Sequence, residues 1–184
     1  NLLSKANPIL LISFLLISTF GISHGAFDGK IIWDSGDKKN AFILYLIYIS
    51  ISLLGLMLWL ISPTLGLFIL LLISTIHFGH SDLAYIDNRQ KYLKYSWGLA
   101  MTFMPVLFHP SSVSEIFYLL TDSNAISSTL IFLKYLISLN LILLTSYVMF
   151  NLFKIKDKIY FLLMGELTIM IILGYYLHPL VWFA

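Results

Sequence analysis

The sequence predicts an all-α, multi-pass transmembrane helical bundle, and three observations carry that reading. Hydrophobic residues make up 59% of the 184 and charged residues 11%, against about 25% charged in soluble domains. The apolar residues come in long uninterrupted runs, and the few basic residues gather in alternate connections between them. A soluble domain of this size could not hide so much apolar surface. The aromatic share of 16% suits a bundle that faces lipid and encloses a ligand.

Charge-free runs cover residues 8–27, 41–61, 63–81 and 95–109. Two more, 125–150 and 159–177, are each broken by one charge, Lys134 and Glu166. All but 95–109 approach the roughly 20 residues a helix needs to cross the hydrocarbon. Pro8 and Pro63 fit first-turn positions, where a missing N–H costs nothing. The pattern gives about six complete spans, plus the start of a seventh at Pro179. The first run reaches Phe27, so it reads as a span rather than a signal peptide.

Basic residues then sort by side. Loop 28–40 holds Lys30, Lys38 and Lys39, loop 82–94 holds Arg89, Lys91 and Lys94, and loop 151–158 holds Lys154, Lys156 and Lys158. The connections near Ser62 and at 110–124 hold none. The positive-inside rule places the three basic loops in the cytoplasm and the N-terminus outside. Segment 110–124 then lies at the outer interface.

The remaining composition narrows the function classes. A net charge of +2 is small and scattered, which argues against nucleic acid as a partner. With no cysteine, a metal must use histidine or carboxylate. There is no repeat, linker or second domain, so residues 1–184 read as one integral-membrane domain. Asn1 in place of Met, and an end inside an apolar run at Ala184, suggest truncation at both ends.

The chemistry is expected at two histidines that end apolar spans, in Gly21-Ile22-Ser23-His24-Gly25-Ala26-Phe27-Asp28 and Ile76-His77-Phe78-Gly79-His80-Ser81-Asp82. An imidazole at membrane depth is costly unless paired, hydrated or bound to a metal. His24 lies 16 residues after Pro8 and His77 lies 14 after Pro63, so both sit about 21–24 Å in from the outer side. Asp28 and Asp82 could accept an imidazole's second N–H, as outer carboxylates do for metal-bound histidines. His80 is read as a polar neighbour. His109 and His178, at outer helix ends beside proline, are expected to be structural. Lys134 is expected to snorkel outward.

These segments resemble the bacterial and archaeal Brp/Blh family of membrane β-carotene 15,15'-dioxygenases. That family shows Gly-x-Pro-His-Gly-x-x-Asp, then His-Phe-Gly-x-x-Asp, Phe-His-Pro and Pro-Pro-Leu-x-x-Phe, and closes on His-x-x-x-His. The first two match the segments around His24 and His77. Phe108-His109-Pro110 and His178-Pro179-Leu180-Val181-Trp182-Phe183 match the next two. Ser23 and His178 each stand where the pattern has proline, and His80 where an acidic residue is frequent. None of these departures removes a presumed ligand.

The resemblance implies one iron(II), Fe(2+), on four histidines, with His24 and His77 as metal ligands and Asp28 and Asp82 behind them. The closing pair is expected just beyond Ala184, so this stretch alone is expected to be inactive. The implied reaction cleaves the central double bond of β-carotene with O2, giving two retinal molecules. It would take place in a bacterial or archaeal cell membrane, with the product supplied to a rhodopsin. The alternative from a different class is a non-enzymatic membrane protein. It would be either a transporter with proton-carrying histidines or a retinal-binding protein using Lys134, with Glu166 as counter-ion.

Overall fold

A computed structural model describes residues 8–16, 19, 38–87, 89–122 and 126–183. All regular structure among them is helical: α1 Pro8–Leu16, α2 Lys38–Ile61, α3 Pro63–Asp82, α4 Lys91–Phe108, α5 Pro110–Thr121, α6 Ile126–Ile155, α7 Lys158–Tyr176 and α8 Pro179–Trp182. Among the described residues four stretches, Asn40–Ile61, Pro63–Asp82, Thr129–Ile155 and Lys158–Tyr176, are long and apolar enough to cross a membrane.

The helix starts follow local chemistry. Pro63, Pro110 and Pro179 each occupy the first turn of a helix. Ser62 caps α3, its Oγ accepting from the Leu65 N–H at 3.4 Å. Asp157 caps α7, accepting from the Ile159 N–H at 3.0 Å. The α6–α7 link is only Lys156 and Asp157, and Lys156 takes a left-handed φ of 56° to close it. That conformation is a common helix stop, though glycine usually supplies it.

Helix α4 is the centre of the bundle, packing on α3, α6, α7 and α5. One core gathers Leu93, Trp97, Ala100 and Met104 of α4 with Leu144 and Val148 of α6 and Leu163 and Leu167 of α7. A second joins Leu67 of α3, Phe103 and Val106 of α4, Val113 and Phe117 of α5 and Ile137 of α6. Between α4 and α6, Ser96 Oγ donates to Asn140 Oδ1 at 2.6 Å and Asn140 Nδ2 donates back to the Ser96 carbonyl at 3.0 Å. Such reciprocal bonds hold helices together where lipid offers no competing partner. Consecutive long helices alternate in direction, so Arg89, Lys91, Lys154, Lys156 and Lys158 collect at one end and Ser62, His109 and His178 at the other.

Two parts of the sequence reading change. Lys94, expected in a loop, lies in α4 and is 2% exposed. Its charge reads as loop in a scan for uncharged runs, yet a lysine's aliphatic stem buries readily. Segment 110–124 is largely helix, α5, with Asp122 closing it at φ 52°.

Pro105 sits inside α4 and offers no N–H, so the Met101 carbonyl lacks its usual helical donor. The Trp182 indole N–H of α8 donates to that carbonyl at 2.9 Å. The orphaned acceptor of one helix is thus satisfied by another.

Candidate functional site

His24 and Asp28 lie outside the described residues. His77 is in the penultimate turn of α3 and is exposed. Its ring stands edge-on to Phe78 at 5.6 Å, and it makes no hydrogen bond among the described residues. It follows Gly66 by about three turns and so shares that residue's side of the helix. There Gly66 lies against Trp59 of α2. His80, also exposed, is edge-on to Tyr95 of α4 at 5.6 Å.

The other two described histidines have local partners. His109, between α4 and α5, directs a ring N–H at Nε2 to the Tyr175 carbonyl at 3.0 Å. His178 caps α8, its Nδ1 accepting from the Leu180 N–H at 3.3 Å. Both join helix ends. Lys134 is exposed on α6.

Asp82 ends α3 and accepts from Ser81 Oγ at 3.2 Å. Five residues after His77, it points about 140° away round the helix, toward α4 and α7. There it lines one cleft with Glu166, which the sequence pairs only with Lys134. Glu166 Oε2 accepts from the Tyr85 hydroxyl at 3.3 Å. Burial first, then the charge and hydrogen bond of Glu166 and the charge of Asp82, push Tyr85 up to about 12. Tyr85 gave no sequence signal, being one aromatic in a connecting segment.

Asp82 and Glu166 sit at one end of a cleft of about 510 Å³ whose other walls include Trp97, Met101, Met170 and Trp182. A smaller hollow of about 180 Å³ lies across α4, enclosed by Leu67, Phe68, Leu71, Phe103, Phe117 and Leu130. Both are walled mainly by apolar groups, as sites for hydrocarbon ligands are.

No group of three or more His, Asp or Glu side chains gathers as a metal site among the described residues. The donor chemistry of His77 nonetheless fits a metal ligand, because neither ring nitrogen is spent on a described residue, unlike those of His109 and His178. Neutral imidazoles suit iron.

No curated relative and no solved structure matches the chain. A family profile described as Beta-carotene 15,15'-dioxygenase does match, over residues 15–184. That stretch takes in both histidine segments, the packed helices around α4 and the α8 cap, and the chain therefore belongs to the beta-carotene 15,15'-dioxygenase family.

Proposed function

We propose that this membrane protein catalyses iron(II)-dependent cleavage of β-carotene at its central double bond, with O2, to give two retinal molecules. The carrying observation is the family match over residues 15–184, which includes a histidine with uncommitted nitrogens near the end of a membrane-length helix. In this reading His24 and His77 supply two of the family's four imidazoles with Asp28 behind them, whereas Asp82, expected beside them, turns away into the cleft it shares with Glu166.

Bound iron would supply the binding and activation of dioxygen, one oxygen atom passing to each new aldehyde as the C=C bond breaks. The protein's own contribution is placement. β-Carotene offers no polar handle, so apolar walls must fix which double bond lies at the metal, and positioning alone sets regiospecificity. The substrate dissolves in bilayer, which makes an intramembrane chamber with few polar groups the appropriate setting. A cell membrane location and delivery of retinal to a rhodopsin complete the proposal. Nothing favours the retinal-binding alternative, since Lys134 is exposed and Glu166 is engaged by Tyr85.

The test uses the full-length protein in carotene-producing cells. His24→Ala or His77→Ala should abolish retinal formation and lower iron per protein, whereas His109→Ala should leave most activity. Asp28→Asn should be milder, by about 10–100-fold, as outer partners of a metal ligand are. Undiminished bleaching of carotene by His77→Ala would overturn the assignment.

A further inference from the structure

Helices α3 and α4 cross at two buried glycines. A Cβ on Gly79 would fall on the Lys94 carbonyl, and a Cβ on Gly98 would fall on the Thr75 carbonyl. The contacts are reciprocal. Each helix presses a carbonyl into the other's glycine, one turn apart on each side, which fixes an antiparallel register of 75 against 98 and 79 against 94. None of the described glycines has positive φ, so these positions need hydrogen for space rather than for backbone conformation. Small residues permit this kind of backbone approach between membrane helices.

The two contact points bracket His77, which stands two residues from each. Sliding α3 by a turn would press side chains into backbone, and rotating it would lift both carbonyls from their seats. We propose that Gly98, paired with Gly79, is a positioning residue that fixes the rotation and depth at which α3 presents His77. Gly79 belongs to the histidine motif; Gly98 lies on another helix and outside every motif. The inference rests on His77 being a metal ligand. Adding one carbon at Gly98 must push the helices apart by on the order of 1 Å, and such a displacement at a reacting centre can cost about 100-fold.

The experiment uses purified full-length protein with Co2+ or Fe2+ as the titrated probe. The given sequence has no cysteine, so spin labels at Ile73→Cys and Lys91→Cys can report the helix separation. Gly98→Ala should widen that separation and weaken metal binding about 10–100-fold, with an altered Co2+ spectrum. Gly165→Ala and Gly55→Ala, which both face open space, should change neither. Metal affinity within twofold of the parent in a folded, widened Gly98→Ala protein would overturn the proposal.

Should Gly98→Ala not fold, the paired change Ile76→His with His77→Ile leaves the seam intact and turns the imidazole by about 100°. A clamped helix cannot turn back, so metal binding should be lost. Retained binding would show that α3 rotates freely and would overturn the clamp. His77→Ala separates the two ideas: full metal affinity there refutes the ligand reading itself, whereas its loss beside an unaffected Gly98→Ala refutes only the positioning role.

Discussion

The Trp182 indole bond to Met101 exists because Pro105 removes the carbonyl's own helical donor, and this makes a conditional prediction. Trp182→Phe keeps a ring in place and deletes the N–H. In the parent protein the Met101 carbonyl is then left without a donor. Interhelical hydrogen bonds in membrane proteins average about 0.6 kcal/mol and reach about 1.7, and an orphaned buried carbonyl costs about 1–3 kcal/mol. A loss of about 1–2 kcal/mol is therefore expected. In a Pro105→Ala background the new N–H at position 105 can reach Met101 directly, so Trp182→Phe should cost only the smaller ring's lost contacts. The difference between the two backgrounds, a coupling of about 1 kcal/mol, cancels those contacts and any repacking at Pro105 itself. Reversible unfolding of the four proteins in mixed micelles, followed by helical circular dichroism, measures it. Additivity within about 0.3 kcal/mol would refute the account, since distant independent sites add to that degree.

Two further outcomes follow. Single cysteines at Ser35 and Ser112 should be labelled by a membrane-impermeant reagent from opposite sides, and labelling from the same side would sink the proposed topology. The raised Tyr85 value means the folded state holds that proton more tightly than the unfolded chain, whose phenol has the ordinary value of 10.0. Its stabilising contribution should be complete below about pH 10 and be lost as pH rises toward about 12. Tyr85→Phe should flatten that part of the stability profile, and an unchanged alkaline slope would count against the Tyr85–Glu166 contact.

Helix positions were legible from hydropathy alone because lipid selects apolar length directly. The expected run 63–81 becomes Pro63–Asp82, and 159–177 becomes Lys158–Tyr176. Boundaries slipped where charge and helix coexist: α4 starts at Lys91 rather than near Tyr95, and α6 continues past Phe150 to Ile155 beside Lys154. The proposed site rests on motifs, and motifs carry no facing. That Asp82 turns toward Glu166 while His77 turns toward the α2 side follows from helical rotation together with which face α4 claims. Only tertiary packing decides the second. Tyr85, Gly98 and the Ser96–Asn140 pair were invisible because each acts through a partner far along the chain. His24 and Asp28 remain outside the described residues.

Helix α2 is joined to α3 through Ser62 and rests on it chiefly where Trp59 meets Gly66. Along the rest of its length its large apolar side chains are mostly exposed. Among the described residues little protein covers that face, and a helix held at one end has a tilt that answers to bilayer thickness. Moving the protein to a thinner membrane would tilt this arm first and leave the packed helices around α4 in place.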